Sequence, residues 1–321
     1  MVTVTRHDEQ RPALSATVIT LDEEDQIGDC LESLRWADEI VVVDAGSTDR
    51  TAAIAWACGA RVLVHPWEGF AAQKNFALAE TSGAWVLQLD ADERVTPALR
   101  SEIERVVRDP GALDGYYVPR LTHWAGQPIR HGGWYPDYCP RLFRRHRAQW
   151  EGLTHERLVV EGAAGRLENH LLHFPYRDVR EHLERMFLRS IDLEVQECVE
   201  RGVWFGWLPP RALLGEALAT WRRGPGGRLG ARMVYKEVIR NRFEFTWLFP
   251  FLPVLRFVDR YLLRKGFLDG AAGFWIAVLS ALYEGARCAR LWEHRRLHAG
   301  GGCPCVPVPM RAAAAATGSA S

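Results

Sequence analysis

Three apolar runs, each leading into carboxylates, constrain this chain most. Leu14–Leu21 (LSATVITL), Glu39–Asp44 (EIVVVD) and Trp85–Leu89 (WVLQL) are apolar over nearly their whole length. A strand without a polar face must be covered on both sides, as interior parallel strands are. The intervening segments supply the cover. Ile27, Leu31 and Leu34 fall at helical spacing, which predicts a helix to about Trp36. A second predicted helix carries Ile54 and Trp56 and stops near Gly59, and Arg61–His65 reads as a short third strand. Gly69 to Glu80 is predicted helical with Phe70, Phe76 and Leu78 inward. Pro97 opens a further helix that runs to Arg108. This β-α-β-α-β-α-β-α rhythm with short connections predicts a parallel sheet flanked by helices.

The strand ends carry the chemistry. Asp22-Glu23-Glu24 follows the first strand, Asp44 closes the second, and Asp90 and Asp92 follow the fourth. One acidic end is explained as a helix cap. Three on one sheet edge point to a polar, metal-bound ligand, because open α/β sheets bind ligands at the carboxyl ends of their strands. Asp90 and Asp92, two residues apart on a turn, can face one point. Mg²⁺ or Mn²⁺ takes oxygen ligands and shares them with phosphates, so a diphosphate is the expected companion. No Gly-x-Gly-x-x-Gly follows strand one and no Gly-x-x-x-x-Gly-Lys-Ser/Thr occurs, so dinucleotide and P-loop readings lose support.

Past Gly111 the texture changes. Gly115–Arg120 (GYYVPR) reads as a strand, followed by the loop His131-Gly132-Gly133-Trp134-Tyr135-Pro136-Asp137-Tyr138. Pro140–Phe143 leads to the basic run Arg144–Arg147. Trp150 to Glu156 ends in the pair His155-Glu156, and His170–Phe174 is a short apolar stretch. Arg180 to Arg201 is predicted as one long amphipathic helix with Leu183, Phe187, Ile191 and Val195 on a stripe.

The formal net charge is zero, which points to no nucleic-acid partner, but the charge is uneven. Between Arg201 and His298 there are 17 Lys/Arg against 7 Asp/Glu. Basic residues beside wide aromatic faces fit helices lying on an anionic bilayer surface; packing on the catalytic domain or a second subunit is the alternative. Phe245–Val258 is interrupted by Pro250, Pro253 and Arg256, and Ala271–Tyr283 is short, so no membrane span is expected. Met1–Pro12 lacks an apolar segment and reads as a flexible start without a signal peptide. Seven scattered cysteines fit reduced thiols and a cytoplasmic location, and Cys303-Pro-Cys305 lacks a second pair to hold zinc. The expected organisation is a domain over 13–176, a helical basic and aromatic region over 177–297, and a disordered tail over 298–321.

Taken together, these segments resemble the family 2 glycosyltransferases of the GT-A fold, in particular the bacterial lipopolysaccharide-core group. The matching stretches are Ser15–Glu24 with its Thr20-x-Asp22-Glu23-Glu24, Ala37–Thr51, Trp67–Phe76, Leu89–Val95, Gly132–Phe143, Glu151–Glu156 and Gly266–Gly270 (GFLDG). The group usually has Asn where this chain has Asp22, and Phe205–Arg256 is longer than is usual there. The resemblance implies inverting transfer from a nucleotide-sugar donor, most often a UDP-sugar, to a saccharide or lipid-linked acceptor. It implies that Thr20, Glu23 and Asp44 hold the nucleoside with Lys74 near it. Asp90 and Asp92 would be the metal and diphosphate ligands.

The chemistry of such a transfer agrees. Charge left on the diphosphate needs a cation, and the attacking hydroxyl needs a carboxylate base. Asp137 is the first expectation for that base, Glu156 the second, and His155 a further metal or diphosphate contact. Asp137 bracing its loop against Arg141 is the alternative. A haloacid-dehalogenase-type phosphatase would place Asp-x-Asp after its first strand, and a sugar-nucleotide pyrophosphorylase would have a Gly-rich basic loop where Asp22-Glu23-Glu24 stands. A non-enzymatic membrane scaffold gives no use to three acidic strand ends.

Overall fold

The computed structural model describes residues 13–152, 156–192, 194, 195, 218, 219, 222 and 251–298. Of these, 13–128 and 134–175 lie in one compact unit, and 129–133 with the residues from 176 onward in another. Most of the Trp- and Arg-rich stretch after Val203, the N-terminal start, the tail and His155 lie outside the described residues.

The first unit contains β1 (Leu14–Thr20), α1 (Ile27–Glu32), β2 (Glu39–Asp44), α2 (Thr51–Ala57), β3 (Arg61–Val64), α3 (Phe70–Ala79) and β4 (Trp85–Asp90). It continues with β5 (Glu93–Val95), α4 (Pro97–Arg108), β6 (Gly115–Trp124), β7 (Gln127–Pro128), β8 (Asp137–Arg144), β9 (Ala148–Glu151), β10 (Arg157–Val160), β11 (Ala164–Arg166) and β12 (Leu171–His173). The main sheet runs β3-β2-β1-β4-β8-β6-β12-β5. Its first four strands are parallel, as their unbroken apolar runs require. β8 then pairs antiparallel with both β4 and β6, and β12 antiparallel with β5. The sheet is therefore mixed and mainly parallel at its core, with helices against it.

One topological fact positions everything else. β4 and β5 are consecutive in the chain, separated only by Ala91 and Asp92, yet β8, β6 and β12 lie between them along the sheet. The sheet must curl back for the path to close, and the Asp-x-Asp turn sits at the closure. The core beneath is formed by Val18, Leu31, Val42, Leu87, Leu89, Leu99 and Ile103, all fully buried. A polar pair crosses it, Thr17 Oγ1 donating to Gln88 Oε1 at 2.7 Å, so neither buried group is left unsatisfied. Thr96 caps α4 by accepting from Leu99 N at 3.2 Å, with Pro97 in the first turn as expected.

Two sequence expectations need correction here. α1 ends at Glu32, four residues short of Trp36. α3 does not turn Phe70 inward: Phe70 is 46 % exposed, whereas Gln73 and Lys74 are buried. The helix face that enters the interior is chosen by the charges it meets there, which an apolar count cannot register.

The second unit holds α5 (Val179–Glu184), capped by Asp178, which accepts from Glu181 N at 2.8 Å. α5 runs on as a π-helical stretch, Arg185–Ser190. The unit also holds α6 (Leu252–Val258) and α7 (Gly270–His298), joined through the π-helical stretch Asp259–Leu263 and the 3-10 turn Gly266–Asp269. Ile191, Val195 and Leu291 bury one another, with Phe187 against them; these include three of the four residues expected on the stripe, and Leu183 is not in that cluster. Gly266–His294 is long and apolar enough to cross a membrane by length and composition; its most apolar window has a mean hydropathy of 1.4. The same helix carries a buried charge cluster. Arg287 pairs with Glu284, and Arg256 Nε lies 3.5 Å from Glu284 Oε2.

Candidate active site

The carboxyl edge of the parallel strands gathers the predicted nucleotide-side residues. Thr20 is the register partner of Asp44 across β1 and β2, and Ile19 that of Asp90 across β1 and β4. The β1–α1 and β2–α2 loops are laced together. Asp22 N donates to Ser47 Oγ (2.9 Å), Asp22 Oδ1 accepts from Thr48 N (2.7 Å), and Glu23 N donates to Thr51 Oγ1 (2.8 Å). Asp22 achieves this in the left-handed region, at φ +54°. Asn and Asp tolerate that conformation best among non-glycine residues, which accounts for the amide or acid at this position.

Asp44 is turned toward its own loop. Its Oδ2 accepts from Gly46 N (3.2 Å) and Ser47 N (2.9 Å), and Ser47 Oγ bonds its Oδ1. Thr20 Oγ1 is buried and has no hydrogen-bond partner among the described residues, so it is an unused polar atom at this edge.

The centre of the site is a chain of alternating charges. Lys74 Nζ lies 3.3 Å from Asp90 Oδ1 and 3.0 Å from Glu156 Oε1, and 4.6 Å above the Trp150 ring. Arg141 Nη2 reaches Asp90 Oδ2 at 2.5 Å and Glu93 Oε1 at 2.7 Å. Arg120 lies 3.4 Å from the same Glu93 oxygen and binds Asp137 Oδ2 through Nη2 (2.5 Å) and Nε (3.0 Å). Glu93 is fully buried, and its Oε2 accepts from Asp90 N at 3.1 Å. Burial works against a charge on Asp90, but Arg141, Lys74 and Arg120 outweigh it and hold its carboxyl well below the usual range. Arg141 is likewise buried, and Asp90 and Glu93 more than restore its charge.

The expected brace of Asp137 against Arg141 is therefore not the one that forms. Residues four apart on a strand do not meet, whereas Arg120 is the cross-strand register partner of Asp137. Arg141 belongs instead to the Asp90–Glu93 cluster.

Asp92 meets a residue to which sequence reasoning gave no role. The β12–β5 pairing sets His173 opposite Glu93, and His173 Nε2 lies 3.5 Å from Asp92 Oδ2. The other ring nitrogen, Nδ1, is 3.0 Å from Thr122 Oγ1. That is how a metal-ligating imidazole is commonly oriented, by a polar partner on its far side. The one signal in the sequence was a histidine at the end of a short apolar strand, the position already marked by Asp44 and Asp90.

Among the described residues no three His, Cys, Asp or Glu side chains converge as a ready-made metal cluster. Mg²⁺ and Mn²⁺ in phosphate-handling sites need fewer, usually one or two protein carboxylates with the rest supplied by substrate oxygens and water. Asp92, His173 and the adjacent Asp90 fit that donor chemistry.

Residues 15–155 match the family model described as Glycosyl transferase family 2. The lipopolysaccharide core biosynthesis glycosyltransferase LpsC of Rhizobium meliloti (strain 1021) is 37 % identical over 176 residues, covering 50 % of this chain and 63 % of that protein. An uncharacterized glycosyltransferase of Rickettsia typhi is 43 % identical over 153 residues, 46 % of this chain and 52 % of that one. The chain thus spans between about half and two thirds of these two relatives. Among solved structures, glucosyl-3-phosphoglycerate synthase from Mycobacterium tuberculosis, in complex with Mn²⁺, UDP and glucosyl-3-phosphoglycerate, aligns with a TM-score of 0.32 at 22 % identity. The alignment covers 43 % of this chain and 58 % of that one.

Proposed function

We propose, from the premise that residues 15–155 are a family 2 glycosyl transferase domain, that the protein transfers a hexose from a nucleotide-sugar donor to a saccharide or lipid-linked acceptor. The donor is a UDP-sugar, and the product belongs to lipopolysaccharide-core or related envelope glycan synthesis. The observation that carries this reading is the meeting of Asp90, Asp92 and His173 at the carboxyl edge of the sheet, with Lys74 and Arg141 beside them.

Asp92 and His173, with Asp90 adjacent, would hold a divalent ion, which would supply positive charge for the departing diphosphate. Lys74 and Arg141 add fixed cations on the same side. The acceptor oxygen attacks the anomeric carbon as the bond to the diphosphate breaks, and the diphosphate leaves with the electron pair. Attack from the face opposite the leaving group inverts that carbon. The hydroxyl proton passes to a carboxylate.

Of the two candidates, Glu156 meets one cation among the described residues, Lys74 at 3.0 Å. Asp137 is clasped through Oδ2 by Arg120. We therefore assign the base to Glu156 and the brace to Asp137, reversing the order expected from sequence. Glu156→Gln should leave UDP binding near normal and lower kcat steeply, whereas Asp137→Asn should weaken binding and stability together. A normal kcat in Glu156→Gln with a collapsed one in Asp137→Asn returns the role to Asp137. For the overall reading, Asp92→Asn should lower turnover of a UDP-sugar panel with Mn²⁺ or Mg²⁺ by at least ~10²-fold, the usual cost of a lost transition-state charge contact. Activity in that variant equal to wild type, or undiminished by chelator, refutes it.

The location proposed is the cytoplasmic face of the inner membrane, beside a lipid-linked acceptor. Support comes from the exposed side chains Val254, Leu255, Leu262, Leu263, Phe267 and Trp275 in the second unit. Arg264 and Lys265 lie between them in the chain, as suits an anionic surface.

A further inference from the structure

In the turn that carries the two aspartates, each carbonyl oxygen from Asp90 to Glu93 accepts a hydrogen bond. Asp90 O accepts from Cys30 Sγ at 3.6 Å, and Asp92 O from Phe174 N at 2.9 Å. Ala91 O and Glu93 O both accept from Arg94 Nη1, at 2.8 and 3.0 Å. The other terminal nitrogen of Arg94 reaches a different loop. Nη2 donates to Gln26 O at 2.9 Å and to Gln26 Oε1 at 2.7 Å, just ahead of α1. Gln26 Nε2 in turn donates to Phe174 O at 3.3 Å, and the Arg94 guanidinium stands 5.6 Å from the centre of the Phe174 ring.

A closed circuit results: Arg94 to Gln26, Gln26 to Phe174, Phe174 to Asp92, and back to Arg94 through the turn. All of it lies in the first unit. Phe174 directly follows His173, so the circuit encloses the pair whose side chains meet, Asp92 Oδ2 and His173 Nε2 at 3.5 Å.

Arg94 occupies this place at a cost. It is 8 % exposed, and its carboxylate partner, Asp29 Oδ2 at 3.8 Å, belongs to a side chain that is 85 % exposed. Its four hydrogen bonds all go to uncharged oxygens. Burying a cation on such terms costs stability that an apolar residue would spare. What the guanidinium supplies is two N–H groups on each of two coplanar nitrogens, matched to four oxygens on two loops. Lysine would bring the charge without the fork. The glycosyl-transfer chemistry at Asp90, Asp92, His173 and Glu156 makes no direct use of Arg94.

We propose that Arg94 is a positioning residue for the candidate metal site: acting through Gln26 and the Phe174 backbone, it sets the separation of Asp92 and His173. The β12–β5 pairing decides which residues face each other, and the circuit decides how far apart they stand. That matters because a ligand constellation works only within about 0.5 Å of its productive geometry. The β1–α1 loop has bonds of its own to Ser47 and Thr51, so the nucleoside side stands without Arg94. This inference rests on the reading that Asp92 and His173 hold a divalent ion, though its geometry does not.

The test uses the full chain with Arg94→Lys, Arg94→Met and Gln26→Leu. Gln26→Leu leaves the Gln26 backbone oxygen in place and cuts the side-chain link to Phe174. Three quantities are measured: Mn²⁺ affinity in the presence of UDP, read from the electron paramagnetic resonance of the free ion; UDP affinity without metal, by calorimetry; and thermal unfolding. Both Arg94 variants should weaken Mn²⁺ binding by ~10-fold or more and Gln26→Leu by at least ~3-fold, with metal-free UDP affinity within ~2-fold of wild type in all three. Arg94→Lys should be no better than Arg94→Met, because the charge alone does not close the circuit. Gln26→Leu serves if neither Arg94 variant folds. Wild-type Mn²⁺ affinity in Arg94→Lys or in Gln26→Leu overturns the proposal, whether or not Tm falls, since that is the behaviour of a purely structural residue. Equal losses of Mn²⁺ and metal-free UDP affinity overturn it as well.

If the wild type binds no Mn²⁺ in the presence of UDP, the metal reading has failed. Hydrogen exchange then decides the geometry: faster exchange of the Phe174 N–H in Gln26→Leu upholds the positioning, and unchanged exchange refutes it.

Discussion

Replacing Arg141 with Met tests whether the charge chain is a structural keystone of the site. Arg141 is 4 % exposed and joins Asp90 Oδ2 to the fully buried Glu93. Met preserves much of the side-chain length and apolar contact, so the change removes mainly the guanidinium. Glu93 would keep Arg120 at 3.4 Å and the Asp90 N–H at 3.1 Å. Breaking a buried pair costs about 3–5 kcal/mol, chiefly because the remaining charge stays buried. The residual contacts place this case at the low end, about 3 kcal/mol. For a domain of this size that is a fall in Tm of roughly 6–12 °C.

The decisive comparison is the double variant Arg141→Met/Glu93→Gln. It removes the stranded charge while Gln keeps an oxygen for Asp90 N, so it should recover about 1–2 kcal/mol of the loss. Thermal unfolding at pH 7, followed by the fluorescence of buried Trp85 and Trp150, reads both. An Arg141→Met variant within about 1 kcal/mol of wild type, or a double variant that simply adds the single losses, refutes the reasoning.

Three further outcomes are expected. Thr122→Val removes the polar partner of His173 Nδ1 and should weaken Mn²⁺ affinity in the presence of UDP by ~10-fold or more, with thermal stability nearly unchanged; equal Mn²⁺ affinity would show that His173 needs no such support. Burial pushes the His182 imidazole down to about 4. Its neutral form is favoured on folding, so its contribution is complete above about pH 6.5 and is lost as pH falls toward 4, by about 2 kcal/mol at pH 5. Urea midpoints at pH 7 and pH 5 should therefore separate more in wild type than in His182→Gln, and parallel behaviour would disprove the assignment. Leu263→Asp with Phe267→Asp should abolish pelleting with phosphatidylserine vesicles, which in wild type should weaken as salt rises; undiminished pelleting would remove the membrane reading.

Much of the scaffold could be read from the chain alone, because interior parallel strands announce themselves as apolar runs and their ends as carboxylates. β2 runs from Glu39 to Asp44 and α4 from Pro97 to Arg108, as the residues predict. What escaped were contacts made across the sheet. Asp137 finds Arg120 through an antiparallel register that joins residues seventeen apart, a distance at which one sequence gives no preference. The resemblance puts Lys74 near a nucleoside but says nothing of its place between two carboxylates, which only the fold brings together. Glu93 received no role because an acid beside two aspartates looks like more of the same surface charge, yet it is the most deeply buried of them. His173 lies past the end of the family match at residue 155, and its meeting with Asp92 depends on the pairing of β12 with β5.

That last pairing has a consequence for how the protein comes into being. Asp90 and Asp92 leave the ribosome well before His173 is made. At about 5–20 residues per second, translation of the intervening stretch takes several seconds. Throughout that interval the nascent chain can assemble β1 to β4, whose contacts are all between residues already made. It cannot bring His173 to Asp92, because the strand that carries His173 has yet to be made. An unfinished or prematurely released chain that stops before β12 would hold the acidic strand ends without the histidine and, on the glycosyl-transfer reading proposed above, without the full metal site. The Asp92–His173 contact is thus one of the last features of the domain to form.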